Sequence, residues 1–230
     1  RSAALRSGEL DMAFDLPTGT LDEYADASEY RTAVARGGGY TFMQFPVTQP
    51  PWDDARLRRA VNHLVPRERI AENVFSGWKK PAWTPLPPIA AHEGTSDYDQ
   101  LLTDGKKYNA YDPERAGELV AAVREDRDIE TPIDVTIETS TTPDRVRTVE
   151  LIVAALDRTD HFDASMETFE WLTLRRRVLD PDYHERGRLV FLSLSGGFDP
   201  HSYAKVTHHP DNVGQCCNFQ HLDIGKLNET

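Results

Sequence analysis

Hydrophobic and polar residues follow two different periods along the chain, and each period predicts a different element. Apolar residues recur at helical spacing between 57 and 64, directly after Asp53 and Asp54, which predicts a capped helix. Apolar and polar residues alternate over 133–137, which predicts a half-buried strand. The nearly continuous apolar run over 189–192 predicts a central strand that is covered on both faces.

The same reasoning predicts the remaining elements. Further strands are expected at 10–14, 40–45 and 162–169, and further helices at 20–35, 66–74, 112–123, 142–156 and 171–179. The Pro-rich stretch 77–105 has no period and is expected to run over the surface. Because strands and helices alternate through the second half, the sequence predicts an α/β fold, with a central strand that is covered on both faces.

Charge narrows the range of partners. The 230 residues include 38 Asp and Glu against 26 Lys and Arg, a formal net charge of −12, which argues against a nucleic-acid partner. Only six of the 26 basic residues are lysines, so we expect a surface adapted to high salt rather than that of an ordinary acidic protein.

No apolar run approaches the roughly 18 residues of a membrane span. The chain does not begin with Met, and we expect it to be either a processed chain or an excised piece of a longer one.

Two glycine-containing segments are candidate sites of chemistry. Ser195 follows a buried strand and precedes two glycines, as in a nucleophile elbow, but that motif needs glycine where Ser193 stands. The glycines at 37–39 precede a strand and therefore lack the helix N-terminus that binds phosphate. The sequence thus predicts no catalytic residues, no cofactor and no enzyme.

Histidines and cysteines gather near the C-terminal end of the chain. They are His201, His208, His209, Asp211, Cys216, Cys217 and His221. One interpretation is a soft-metal or nickel site, and the other is a His-rich loop with two small buried thiols. Adjacent cysteines seldom present both sulfurs to one ion, so we favour the loop and predict no metal site.

Several motifs resemble those of a known family. Residues 50–62 read PPWDDARLRRAVN, and 66–70 read PRERI. Residues 3–11 read AALRSGELD, 111–116 read YDPERA, and 198–203 read FDPHSY. In their order and spacing along the chain, these motifs resemble those of the family 5 solute-binding proteins of ABC importers, which carry dipeptides, oligopeptides and nickel complexes.

The resemblance implies a periplasmic-binding-protein-like α/β fold of type II, cluster C, with a mixed sheet and helices on both of its faces. In such proteins two lobes close on a ligand by hinge motion. Residues 1–37 resemble a remnant of lobe I and the approach to the hinge. Residues 38–230 resemble lobe III, truncated before its return to lobe I. The resemblance covers less than half of a typical member.

The implied function is that of a substrate-binding receptor, which captures a peptide-like solute outside the membrane and delivers it to the ABC permease. The implied protein is monomeric, extracytoplasmic and lipid-anchored in its full length. Alternatives are a nickel or metal-chelate binding protein of the same family, and an unrelated α/β enzyme domain. The order of the motifs and the lack of a catalytic constellation favour the receptor.

The resemblance also implies a ligand-binding wall, formed by the end of the central strand and the loop that follows it. The candidate ligand-binding residues are Trp171, Ser195, Gly196, Gly197, Phe198, His201 and Tyr203. Ligands of α/β sheets bind outside the carboxyl ends of strands, and glycines let the backbone approach a ligand. In the alternative interpretation the glycines form a plain turn and the aromatic side chains pack into the core.

Two departures from the family pattern leave the ligand open. Gly196 stands where peptide-binding members carry the Asp that pairs with the peptide amine. Leu194 stands where the nickel-binding branch carries a pocket tryptophan, although the run from Phe198 to His201 approaches that branch. A shared wall requires Trp171 and the loop to lie on one concave face near residues 38–42.

Overall fold

A four-stranded mixed sheet forms the centre of the computed structural model, which describes residues 1–14, 16, 18–35, 37–213 and 217–220. The strands are β1 (Gly39–Gln44), β2 (Ile133–Ser140), β3 (Phe162–Phe169) and β4 (Leu189–Ser195). They lie in the order β1-β4-β2-β3. Strand β2 pairs in parallel with both β3 and β4, and β1 pairs with β4 in the antiparallel sense. The predicted mixed sheet is confirmed.

Helices form much of the described chain outside the strands. They are α1 (Ser2–Arg6), α2 (Leu21–Ala25), α3 (Ala55–Leu64), α4 (Arg67–Asn73), α5 (Ser96–Asn109), α6 (Pro113–Arg127), α7 (Pro143–Leu156), α8 (Trp171–Val178) and α9 (Pro200–His208). The carboxylates of Asp54, Asp112 and Asp199 accept backbone N–H hydrogen bonds at the starts of α3, α6 and α9. These caps explain why three of the helices begin where they do. No helix in the described ranges is long and apolar enough to cross a membrane.

The sheet separates two hydrophobic cores, because successive side chains of a strand point to opposite faces. Ile137 and Leu189 belong to the larger core, together with residues of α3, α6 and α7. Val190 and Leu192 belong to the smaller core, together with Leu174 of α8. Helices therefore cover both faces of the sheet, as the sequence predicts.

Four expectations about local structure are wrong. Residues 10–14 form no strand, because no neighbouring strand in the described chain supplies hydrogen-bond partners. The side chains of Met12 and Phe14 are exposed. The helix expected over 20–35 ends at Ala25, since Tyr24 is its one buried residue among those described. Helix α5 begins inside the stretch expected to be irregular, and α9 follows β4 although no helix was predicted there. Both helices bury few side chains, so their apolar periods are weak.

Candidate ligand-binding face

The carboxyl ends of three strands meet at one edge of the sheet, and most of the candidate residues lie there. Strands β2, β3 and β4 run in the same direction, so each ends at this edge. Strand β1 runs the opposite way and begins there, because Gly39 pairs with Ser195. We call this the carboxyl edge. It includes Gly38, the loop 195–198 and Trp171, which follows the end of β3 by two residues.

Tyr203 ties two parts of the carboxyl edge together. Its side chain is buried, and its hydroxyl lies 2.6 Å from the carbonyl oxygen of Gly38 and 3.0 Å from that of Gly197. Its ring packs against Tyr40, with 5.9 Å between the centroids. The chain that enters β1 is thereby held to the chain that leaves β4. Tyr203 thus lies behind the surface of the edge, with its hydroxyl engaged by protein carbonyls.

Two glycines at this edge are required by close packing. A Cβ on Gly196 would lie 2.7 Å from Cζ of Tyr203, and a Cβ on Gly38 would lie 2.4 Å from the Tyr203 hydroxyl. A side chain at Gly196 would require Tyr203 to move, and one at Gly38 would also require the backbone to move, because its Cβ would lie 2.9 Å from the carbonyl oxygen of Gly196. A Cβ on Gly197 would meet no described atom within 4 Å. Gly197 therefore borders open space, while Gly196 packs on the tyrosine.

The remaining candidates are exposed at the carboxyl edge. Phe198 is 72% exposed and Trp171 is 47% exposed, which is unusual for large aromatic side chains. Ser195 and His201 are also exposed, and the backbone N–H of His201 donates to the Asp199 carboxylate at the start of α9. The edge thus presents two aromatic surfaces with polar groups beside them.

Arg145, which sequence reasoning missed, joins Trp171 to the other strands. Its guanidinium carbon lies 5.5 Å from the centroid of the Trp171 ring, a cation–π arrangement. The same guanidinium donates to the Ser140 hydroxyl at 3.1 Å and to the Ser193 hydroxyl. It therefore connects the ends of β2 and β4 with the start of α8. No local signal singles out Arg145, because α3, α4 and α6 also carry an arginine in their first turn.

The histidine and cysteine cluster is only partly described. His209 Nδ1 lies 3.5 Å from a carboxylate oxygen of Asp211, and His208 contacts the Thr207 hydroxyl. Burial lowers the pKa of His208. Cys216 and His221 lie outside the described residues. Among the residues that are described, no three His, Cys, Asp or Glu side chains are placed to hold a metal ion.

Open α/β sheets bind their ligands outside the carboxyl ends of their strands, and this edge carries exposed aromatic and polar groups. The sequence profile described as "Bacterial extracellular solute-binding proteins, family 5 Middle" matches residues 1–212. The chain belongs to this family, and the resemblance indicated by the ordered motifs is confirmed.

Named relatives and solved structures agree with this assignment. Heme-binding protein A of Haemophilus influenzae is 25% identical over 181 residues, which are 77% of this chain and 31% of that protein. Glutathione-binding protein GsiB of Escherichia coli K12 is 30% identical over 122 residues, which are 52% of this chain and 22% of that protein. The structure of the ABC transporter-associated periplasmic binding protein DppA from Helicobacter pylori, in complex with the peptide STSA, matches with a TM-score of 0.81. At 16% identity, it covers 100% of this chain and 42% of that one. The chain thus spans less than half the length of these proteins.

Proposed function

We propose that this chain is part of the substrate-binding receptor of an ABC importer, which captures a peptide-like solute outside the membrane and delivers it to the permease. The observation that carries the proposal is the carboxyl edge, where Phe198 and Trp171 are exposed at the same end of the sheet and a Cβ on Gly197 would meet no described atom within 4 Å. Family membership and the names of the relatives support the same function. The full protein acts outside the cytoplasm, as a lipid-anchored monomer that binds no nucleic acid.

We further propose that residues 1–37 belong to lobe I and the approach to the hinge, and that residues 38–230 belong to lobe III. The tie between Tyr203 and Gly38 supports this division, because it anchors the chain at the point where it enters the sheet. In such receptors the ligand is enclosed between two lobes that close by hinge motion. Residues 38–230 would then supply one wall of the site.

The candidate residues fall into three groups with different roles in this proposal. Trp171 and Phe198 supply apolar surface against which a ligand packs. Ser195, Gly197 and His201 supply polar groups from the backbone and side chains. Gly196 and Tyr203 hold the loop in place from behind, because their atoms pack on each other.

The proposal is tested by mapping a peptide onto the 230-residue chain. The probe is the tripeptide Ala-Leu-Ala, titrated into isotope-labelled protein and followed by NMR, with a nickel–histidine chelate as the second probe. We expect the tripeptide to shift the backbone signals of 195–198 and the indole signal of Trp171. Because one wall leaves much of the ligand in solvent, a Kd near the millimolar range is expected.

Matched variants separate the site from the general surface. Trp171→Ala and Phe198→Ala should weaken the tripeptide, whereas Leu172→Ala should not, although Leu172 is 64% exposed and adjacent to Trp171. Shifts that cluster away from the carboxyl edge would contradict the proposed site. A sub-micromolar Kd by calorimetry would contradict the division into lobes, since a single wall does not bury a ligand well enough.

A further inference from the structure

Residues 1–35 are bonded mainly to one another, and we call them the N-terminal unit. Arg6 contacts Glu23 at 2.6 Å, and the Tyr24 hydroxyl donates to the carbonyl oxygen of Ser2 at 3.1 Å. Among the described residues, the backbone hydrogen bonds of the unit all stay within it, and Tyr24 is its one buried side chain. A segment that buries so little is free to move as a body when its few outer contacts break.

Two side-chain hydrogen bonds join the N-terminal unit to the rest of the described chain. The Thr18 hydroxyl donates to the Asp144 carboxylate at 3.3 Å, and the Trp78 indole N–H donates to the Asp22 carboxylate at 2.7 Å. Asp144 lies in the first turn of α7, which follows the carboxyl end of β2. Lys79, the neighbour of Trp78, interacts electrostatically with Asp144. Both hydrogen bonds therefore hold the unit at one place beside the carboxyl edge.

Trp78 is mounted firmly on the side of the sheet domain. The preceding Phe75 is buried in the larger core. The backbone N–H of Gly77 then donates to the carbonyl oxygen of Ala71 at 2.9 Å, and Gly77 has a φ of 75°, which suits glycine. This turn directs the indole away from α4 and toward Asp22, so the contact point is fixed relative to the sheet.

The link between the N-terminal unit and the sheet contains a flexible joint. Gly38 is held in place, because its carbonyl oxygen accepts the hydrogen bond from Tyr203. Gly37 is exposed, and a Cβ there would meet no described atom nearer than 3.9 Å. Glycine has wide conformational freedom, and hinges form where a few residues absorb a change of backbone angle. The unit is therefore able to turn about Gly37 while β1 stays fixed.

We propose that the N-terminal unit is a strap that closes on the carboxyl edge and is held there, without any solute, by a two-point latch of Thr18 with Asp144 and Trp78 with Asp22. The two bonds open and close together, because they hold the same body. This inference goes beyond the proposed function, since it concerns a contact of the chain with itself. Only its meaning for the receptor rests on that function: if residues 1–37 belong to lobe I, the latch sets how often the lobes are closed before a solute arrives.

The first experiment asks whether the two contacts are coupled. The exchange of the Trp78 indole N–H with water is measured by NMR in the unaltered protein and in Thr18→Val, which removes a hydroxyl that does not contact Trp78. We expect the exchange to become about three- to tenfold faster, because the loss of one hydrogen bond favours the open state by a factor of that size.

Matched controls show whether the effect is specific. Thr168→Val removes an exposed hydroxyl that has no hydrogen bond within the described ranges, and it should leave the Trp78 exchange unchanged. Asp22→Ala removes the direct partner and should accelerate the exchange, whereas Asp26→Ala, one turn further along, should not. If Thr18→Val leaves the exchange at Trp78 unchanged, the two bonds are independent and the latch is overturned.

The second experiment follows the motion of the whole N-terminal unit by ¹⁵N relaxation. In the unaltered protein the amides of α2 should tumble with those of β2. In the double variant Thr18→Val/Trp78→Phe the unit should acquire a shorter correlation time of its own. The control Thr168→Val/Trp83→Phe should not change it, because the Trp83 indole N–H has no hydrogen bond within the described ranges.

The outcomes separate this inference from the proposed function. Independent tumbling of α2 in the unaltered protein would overturn the latch without any variant, so a variant that fails to fold does not protect it. If Ala-Leu-Ala maps away from the carboxyl edge, the proposed ligand-binding face fails. The latch is decided by exchange and relaxation alone, since neither measurement uses a ligand.

Discussion

Replacement of Tyr203 by Phe removes a single oxygen atom from the join between β1 and β4. That hydroxyl lies 2.6 Å from the carbonyl oxygen of Gly38 and 3.0 Å from that of Gly197. The phenyl ring that remains keeps its packing against Tyr40 and Gly196, so no cavity forms. The variant therefore isolates the hydrogen bonding that fixes the carboxyl edge.

The size of the effect follows from the surroundings of the two carbonyls. Leaving a buried acceptor without its donor costs roughly 1–3 kcal/mol. Gly38 is half-buried and Gly197 is exposed, so water can replace part of the lost hydrogen bonding to their carbonyl oxygens. We therefore expect a loss of about 1–2 kcal/mol in the free energy of unfolding, which at this chain length lowers Tm by roughly 2–8 °C.

Urea unfolding of the wild type and the variant measures this loss. The midpoint should fall while the slope stays the same, because the surface exposed on unfolding does not change. Tyr40→Phe is the matched control, since its ring lies in the same cluster and its hydroxyl has no hydrogen bond within the described ranges. We expect the control to change stability by less than about 0.5 kcal/mol.

A second measurement reports on the edge itself. The NMR signals of 38–39 and 196–198 should move or broaden in Tyr203→Phe, because the entry to β1 is no longer held to the exit from β4. Equal midpoints for Tyr203→Phe and the wild type, with unchanged signals at the edge, would refute the assigned role of the hydroxyl.

Two further predictions concern the surface and the core. The carboxylate-rich, lysine-poor surface should make Tm higher in molar KCl than at low salt, because salt screens self-repulsion; equal values would contradict a salt-adapted surface. Glu138 is fully buried and contacts Arg177 at 2.6 Å, so Glu138→Gln should cost about 3 kcal/mol in urea unfolding. The control Glu167→Gln removes a partly exposed carboxylate that pairs with Arg188 and should cost no more than about 1 kcal/mol; equal costs would show that burial of Glu138 is unimportant.

Elements whose signals are local were predicted well. Helix α6 begins at Pro113 after the Asp112 cap, and β2 begins at Ile133, where apolar and polar residues start to alternate. In each case the residues that define the element are neighbours in sequence. Capping and periodicity act over a few residues, so they can be read from the sequence.

Elements that depend on distant partners were predicted less well. Residues 10–14 have the pattern of a strand but no neighbouring strand in the described chain. Helix α9 has the same Asp-Pro start as α6, yet Tyr203 and Thr207 are its only buried side chains, so its period is weak. The prediction of a strand over 10–14 was wrong because strand pairing depends on tertiary structure. Helix α9 was not predicted because few of its side chains face the core.

The sequence by itself determined most of the elements, the α/β class and the family, because caps, periods and ordered motifs are properties of neighbouring residues. It also pointed to Trp171 and the loop after β4 as candidates. Only the tertiary structure decided that Arg145 lies beside Trp171 and bridges Ser140 and Ser193, and that Tyr203 reaches Gly38 across 165 residues. These contacts depend on strand order, register and the face on which each helix packs, and the whole chain sets those together.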